Sequence, residues 1–421
     1  MTIQAKPITI CDKNGRNNIR FADALTLAKA YAPRMPQEEQ ISLTNSAGRI
    51  LSKPLFAGHS VPPFANAAMD GYALSKHDLA QAADGLPMGA PILAGIVPQE
   101  LLSGTTCAIT TGAPMPLGAN LVIEQERCGV RNGCMFLKTA PSDKPHIRPV
   151  GEDIEMGSQL APAGTRMTSR LAALASATGL DQIGVRAPLR IALISTGDEL
   201  VGSGEPLAPG KIHDSVRMFL SMELQGCNVQ LIDFGVQPDR SQPVADKLRD
   251  AVACSDMVLT TGGASVGRAD PIRAALNETG ASEIFHGVKM RPGKPLGLDC
   301  HDGVPIVTLP GNPFAAIVGF NFIVSAMIET ALGATIFSAR TTTAKLSAEF
   351  VRRREVLEFV PVKLGPSGKD AIPLATIIAR GSSARLTPLV AADGLAAIDV
   401  HGTILPAGTM VAVSEFGAIA K

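Results

Sequence analysis

Met257-Val-Leu-Thr-Thr-Gly-Gly-Ala-Ser-Val-Gly-Arg-Ala-Asp270 is an apolar strand that runs straight into glycines, hydroxyls and a carboxylate. Gly262, Gly263 and Gly267 let the backbone take positive φ and approach a ligand, so that successive N–H groups can face an anion. Thr260, Thr261 and Ser265 add hydroxyl donors. Asp270 stands before Pro271, a residue suited to the first helical position, so it is expected as an N-cap. A helix N-terminus beside the glycines would add the helix dipole to the attraction for negative charge. By itself the segment serves equally as a phosphate or nucleotide cradle and as a glycine-rich turn in an ordinary strand-to-helix connection.

Working outward, strands and helices alternate around this segment. Leu189-Arg-Ile-Ala-Leu-Ile-Ser195 reads as a strand, Asp214 to Gly226 as a helix, and Asn228 to Phe234 as a strand. A helix over 241–253, the strand 257–261, a helix over 271–279, the strand 305–309 and a helix over 313–331 follow. Such alternation predicts βαβ units, a parallel sheet and right-handed crossovers. Residues 188–335 are therefore expected to form a doubly wound α/β domain with ligands at the carboxyl ends of its strands.

The rest of the chain reads differently. Residues 22–31 are helix-like and end at Pro33 and Pro36, and Ser169 to Thr178 is a second helical stretch. Between them, 75–145 is a run of short strands and turns. Its clearest signal is Leu121-Val-Ile-Glu-Gln-Glu-Arg-Cys-Gly-Val-Arg-Asn-Gly-Cys-Met-Phe-Leu137, where Asn132-Gly133 predicts a hairpin. After residue 340, short strands punctuated by glycine predict a small β-barrel or sandwich. The division expected is a discontinuous helical linker domain over 20–60 and 148–187, a β-rich inserted domain over 61–147, the α/β domain, and a β-barrel over 340–421.

Composition narrows the function. At 421 residues the chain has room for several domains at roughly 100–200 residues each. Lys and Arg number 38 and balance 38 Asp and Glu, so no charged face is demanded. With only Tyr31, Tyr72 and no tryptophan there is little for base stacking, and nucleic acid is not expected as a partner. Cys11, Cys107, Cys128, Cys134, Cys227, Cys254 and Cys300 form no C-x-x-C pair and read as reduced thiols. The opening residues lack the apolar core of a signal peptide, so a cytoplasmic protein is expected. The longest apolar run, Phe314 to Met327, is too short and too polar for a membrane span and suits a buried helix.

Three polar loops fall at the carboxyl ends of the predicted strands: Thr196-Gly-Asp-Glu-Leu200, the opening segment, and Leu309-Pro-Gly-Asn-Pro313. Their convergence would make a pocket combining backbone donors with carboxylates. Asp198, Glu199, Asp239 and Asp270 offer hard oxygen ligands of the kind Mg²⁺ takes, although each taken alone is more often a cap or a solvated loop residue. Lys289-Met-Arg-Pro-Gly-Lys-Pro295 pins three cations in a loop that cannot be helical, which suits a phosphate or oxyanion, with Arg291 able to grip it bidentately. A dinucleotide-binding reading is weak, because the loop spells G-G-x-x-x-G and follows the third strand of the domain. No G-x-S-x-G elbow marks a protein nucleophile.

Taken together, the chain resembles the molybdopterin molybdenumtransferases, the molybdenum insertases to which the carboxyl-terminal part of gephyrin also belongs. The resemblance rests on Pro62-Pro-Phe-Ala-Asn-Ala-Ala-Met-Asp-Gly-Tyr-Ala73, Thr111-Gly-Ala-Pro-Met-Pro116, Gly151-Glu-Asp-Ile154, Ser195-Thr-Gly-Asp-Glu-Leu200, the opening segment, Pro292-Gly-Lys-Pro295 and Leu309-Pro-Gly-Asn-Pro313. It implies an elongated homodimer that binds adenylylated molybdopterin, inserts molybdate at the dithiolene and cleaves the pyrophosphate bond with Mg²⁺ to release AMP. It implies as partners the adenylyltransferase that makes the substrate and the molybdoenzymes that accept the product.

The resemblance also implies site residues. Asp70, Thr111, Asp153, Glu199, Asp239 and Asp270 would be catalytic, the first three reaching the pocket from the other protomer. Thr196, Gly197, Asp198, Ser215, Gly262, Gly263, Ser265, Gly267, Lys289, Arg291, Lys294, Pro310, Asn312 and Pro313 would bind the pterin substrate, with Asp198, Glu199 and Asp270 on the metal. The chain departs from the family pattern at Ala65, Ala67 and Val216, where a carboxylate, a hydroxyl and an amide are usual. Those departures motivate an alternative, a non-catalytic carrier of molybdopterin or cofactor. The related molybdopterin adenylyltransferase shares the α/β core, but its core usually stands alone.

Overall fold

The computed structural model describes residues 18–262, 271–335, 341–352, 356–366, 371–380, 384–399 and 404–416. Gly263, Ser265, Gly267 and Asp270 lie outside the described residues, and with them the expected cap at Asp270.

The α/β region is built on a six-stranded sheet. Its strands are β1 (Leu189–Thr196), β2 (Val229–Gln237), β3 (Met257–Thr261), β4 (Ser282–His286), β5 (Gly297–His301) and β6 (Val304–Leu309), in the spatial order β2-β1-β3-β6-β5-β4. The first four in that order run parallel, as the alternation predicts. The expectation of a parallel sheet needs correction at one edge, because β5 runs antiparallel to both of its neighbours, β6 and the edge strand β4. A turn through Asp302 and Gly303, with φ of 49° and 80°, joins β5 to β6, and such a tight turn can only return the chain antiparallel.

Helices cover both faces of the sheet. Ile191, Leu193, Leu259 and Val307 point to one face, against helix α1 (Ser215–Gln225) and the long helix Pro313–Leu332. Ala192, Ile194, Val258 and Ile306 point to the other, against α2 (Ser241–Cys254) and α3 (Pro271–Thr279). Burial on both sides explains why these strands are apolar without alternation. Pro313–Leu332 is long and apolar enough to cross a membrane, yet 78% of its apolar window is buried inside the fold, as expected of a core helix. A π-helical segment at Phe320–Val324 interrupts it. Phe320 packs edge-on to Phe219 of α1, whereas Phe322 stacks on Phe359 of the carboxyl-terminal strands at 4.3 Å.

Those carboxyl-terminal strands close into a barrel. Leu357–Gly365, Leu374–Ile377, Thr341–Leu346, Met410–Glu415 and Gly394–Ile398 pair in that order, and the last pairs back to the first. In the amino-terminal half, Cys128–Arg131 and Cys134–Leu137 form the hairpin expected at Asn132-Gly133, with both turn residues at positive φ. Helix Ser169–Ala177 lies near two short ladders, Glu38–Ser42 with Gln182–Arg186 and Leu55–Phe56 with Gln159–Ala161. The helix Phe21–Ala30 packs its buried Ala24 and Ala28 into the same apolar core as the α/β sheet, and Ile19 bridges to Val288.

Candidate functional site

The carboxyl ends of three parallel strands, β1, β3 and β6, meet around glycines. Gly262, at φ +92°, lies so close to Thr196 at the end of β1 that a Cβ atom would stand 2.2 Å from the Thr196 carbonyl oxygen. A Cβ at Gly311, after β6, would stand 3.3 Å from the Gly262 Cα. Absence of side chains at these two positions is therefore what lets β1, β3 and β6 deliver their loops to one place. The hydroxyl of Thr196 donates to the Thr261 carbonyl at 3.2 Å, and that of Thr261 donates to Ser195 Oγ at 3.1 Å. These hydroxyls are spent on the scaffold. Thr260 Oγ1, fully buried, has no partner among the described residues.

The carboxylates lie at the rim. Asp198 and Asp239 cap each other: the Asp198 N–H donates to Asp239 Oδ2 and the Asp239 N–H to Asp198 Oδ1, each at 3.2 Å. One oxygen of each is thereby used to hold the β1 and β2 loops together. Glu199 is exposed, and its side chain folds toward Gly197, where a Cβ would meet Glu199 Oε2 at 2.9 Å. Lys211 Nζ donates to the Asp198 carbonyl. Among the described residues no group of three or more His, Cys, Asp or Glu side chains comes together to hold a metal.

Asp214 is a polar group that the motif reading passed over. It caps α1, with Oδ1 accepting from the Arg217 N–H at 2.9 Å, and its Oδ2 is buried without a partner among the described residues. Its N–H donates to Val201 on the loop that follows Asp198 and Glu199. The available signal was an aspartate as the first residue of the expected helix, Asp214 to Gly226, a residue type common at the N-cap. Ser215 is the first helical residue and does not cap. Val216, where the family more often has an amide, is 5% exposed and packs in the core with Leu220 and Leu224. Ala67 is likewise fully buried in an apolar cluster with Ala73 and Ile109. Those two departures from the family pattern belong to cores, whereas Ala65 is only partly buried.

A second concavity adjoins the first through Leu309-Pro-Gly-Asn-Pro313. Arg291, Lys294, Pro310 and Asn312 line a cavity of about 250 Å³, with Glu358 and Arg380 from the barrel on its far wall. The loop is held in place by a two-residue strand, Met290–Arg291, that pairs with Leu357 and Glu358. Gly293, at φ +107°, turns the loop over Met290. Lys289 and Pro313 do not line this cavity, and Lys289 is exposed.

The amino-terminal candidates stand apart. Asp70 Oδ1 accepts from both the N–H and the hydroxyl of Thr111 at 2.7 Å, and these two bonds, the backbone one foremost, hold the carboxyl below the ordinary aspartate range. Asp153 is exposed, its N–H bonded to the Val61 carbonyl. Among the described residues, no hydrogen bond or ion pair joins Asp70, Thr111 or Asp153 to the α/β loops.

Comparison with known proteins agrees with this architecture. Residues 19–179 match the MoeA N-terminal region (domain I and II), 192–330 a probable molybdopterin binding domain, and 343–416 the MoeA C-terminal region (domain IV). The molybdopterin molybdenumtransferase of Synechococcus elongatus is 34% identical over 409 residues, covering 94% of this chain and 99% of the relative. That of Bacillus subtilis is 31% identical, covering 89% and 87%. The crystal structure titled as a molybdopterin biosynthesis MoeA protein from Pyrococcus horikosii superposes with a TM-score of 0.79 at 29% identity, covering 95% of this chain and 99% of that one. A molybdopterin-binding α/β core carried between a MoeA-type amino-terminal half and barrel defines a transferase of molybdenum cofactor biosynthesis. The chain belongs to the molybdopterin molybdenumtransferase family.

Proposed function

We propose that this enzyme inserts molybdate into adenylylated molybdopterin and cleaves the pyrophosphate bond, releasing AMP and molybdenum cofactor. The observation that carries the reading is the Leu309–Pro313 loop, which joins a glycine-lined, carboxylate-rimmed mouth to a cation-lined cavity. The mouth suits a pyrophosphate with its metal, and the cavity suits a tetrahedral oxyanion. The substrate brings its own thiolates, so no cysteine cluster is needed.

The chain's own groups divide the work. Gly262 and Gly311 let backbone approach the phosphates, and Arg291 with Lys294 supplies positive charge for molybdate. Asp198 and Glu199, with Asp270, are the residues that would hold Mg²⁺; the free oxygens left by the reciprocal Asp198–Asp239 caps are the hard donors that ion prefers. When bound, Mg²⁺ would neutralise charge on the pyrophosphate.

A homodimer fits the isolation of Asp70, Thr111 and Asp153, which a second copy would bring to the mouth. Leu207, Ile212, Met218 and Met222, on and before α1, are at least half exposed and offer an apolar face for it. The described cysteines are free thiols, in keeping with the reducing cytoplasm.

The test is purified protein with adenylylated molybdopterin, Mg²⁺ and molybdate, following AMP. Molybdate-dependent AMP release is expected. Tight binding without it would replace this reading with the carrier, the alternative that Ala65, Ala67 and Val216 first suggested.

A further inference from the structure

The long helix Pro313–Leu332 meets three parts of the fold in turn. Its first turn lines the cation-lined cavity through Phe314 and Ala315, next to Asn312. At Gly319 it lies against the bases of both cavity loops, where a Cβ would stand 2.7 Å from Leu309 Cδ2 and 2.8 Å from Leu296 Cδ1. The π-helical turn Phe320–Val324 follows at once. Such turns are rare and occur frequently at functional sites. Two aromatic rings of this turn meet different partners. Phe320 is fully buried, edge-on to Phe219 of α1 at 5.8 Å. Phe322 is only partly buried and reaches the barrel, where its ring lies over Phe359 with centroids 4.3 Å apart and planes at 28°. Phe21 closes the group edge-on to both, at 6.2 and 5.6 Å.

The stack matters because of the strand it holds. Phe359 belongs to the strand Leu357–Gly365, whose residues 358–361 form the barrel wall of the cavity. The ladder from that strand to Met290–Arg291 is two residues long, too short to fix the strand by itself. Leu389 and Leu395 of the barrel also enter the α/β core, but apolar contacts are non-directional and tolerate sliding. Aromatic rings prefer a defined separation and tilt, so the Phe322–Phe359 pair fixes the wall relative to the helix that carries the near side of the cavity.

We propose that Phe322 is a positioning residue: presented by the π-helical turn, it stacks on Phe359 and thereby holds the barrel wall at the distance from Arg291 and Lys294 that an oxyanion needs. The inference rests on the proposed function for the assignment of the cavity to molybdate. Phe322 is not among the residues that line the cavity, so it acts through Phe359.

The test uses the full-length protein as wild type, Phe322→Leu and Phe219→Leu. Each substitution removes one ring contact of the π-helical turn, but only the first faces the barrel. Binding of molybdate alone is read by calorimetry, and the KM values for molybdate and for adenylylated molybdopterin from AMP release. Amide exchange in the 290–291 and 357–358 ladder is read in ligand-free protein. Expected for Phe322→Leu are about tenfold weaker molybdate binding and a molybdate KM raised about tenfold, with the pterin KM and kcat unchanged. Exchange in the ladder should be about tenfold faster. Phe219→Leu should lose thermal stability and leave all these readouts as in the wild type. A folded Phe322→Leu protein with wild-type molybdate affinity, or with weaker binding but an unchanged ladder, overturns the proposal, as does an equal loss in Phe219→Leu. If Phe322→Leu does not fold, Phe322→Met decides by the same readouts. Should the wild type bind molybdate but never release AMP, the proposed function fails and the positioning role is decided by affinity and exchange. Should it release AMP without measurable binding of molybdate alone, the molybdate KM decides. Should it do neither, both fail.

Discussion

Replacing Gly262 by alanine should separate the carboxyl ends of β1 and β3. The added methyl would lie 2.2 Å from the Thr196 carbonyl oxygen and 2.7 Å from Thr196 Oγ1, whereas contacts under 3.0 Å essentially never occur, so the strand ends must part by about 0.8 Å. The backbone conformation at φ +92° costs an alanine roughly 1–2 kcal/mol. Parting the strands disturbs the Thr196–Thr261 bond and its neighbours at about 1 kcal/mol each. The total is about 3 kcal/mol or more, a drop of roughly 6–12 °C in melting temperature for a unit of this size. Gly303→Ala is the control, because Gly303 also has positive φ, at +80°, but has nothing within 4 Å of the added methyl. It should lose only the conformational part, about 1–2 kcal/mol. Thermal unfolding followed by circular dichroism compares the two. If Gly262→Ala melts within about 2 °C of Gly303→Ala, the close approach of the three loops is not what the glycine is for.

Thr111→Val removes the hydroxyl from Asp70 but keeps the backbone N–H, so the Asp70 carboxyl should move part of the way up toward its ordinary value in an NMR titration. Because a depressed carboxyl stabilises the fold above its unfolded-state value and loses that contribution as pH falls through the folded one, the variant's stability deficit should vanish in strong acid. An unmoved carboxyl would mean the hydroxyl does not act on it. Burial pushes the thiol of Cys227 up to about 12 and those of Cys107 and Cys128 to about 11, so iodoacetamide at pH 8 should leave all three unmodified in native protein and label them in urea. Native labelling of Cys227 at the unfolded rate would contradict the burial assigned to it.

Much of the α/β framework was legible because its strands are apolar on both faces and its helices carry clear stop signals. β4 and β5 were not. The register shift between Glu283 and Phe285 breaks the alternation that would have announced a strand. Buried Asp299 also gives β5 the composition of a loop. The loops after β1 and β6 lie at strand ends as the rule about such ends predicts, but the mutual capping of Asp198 and Asp239, 41 positions apart, has no local signature. By motif comparison Ala67 and Val216 look like lost ligand groups, and the structure adds that both side chains are buried among apolar residues, which the sequence alone does not announce. Pairing of Met290–Arg291 with the barrel was invisible for a simpler reason, since two residues carry no periodicity.

Under the proposed function, that short ladder makes the barrel part of the binding apparatus. Arg291 stands opposite Glu358, and Arg380 closes the same cavity from the barrel side. Grafting a relative's barrel onto this chain would therefore transplant half of an anion receptor along with the fold. Selectivity between oxyanions of similar shape becomes a property that can be exchanged as a module, without touching the residues that hold the pterin.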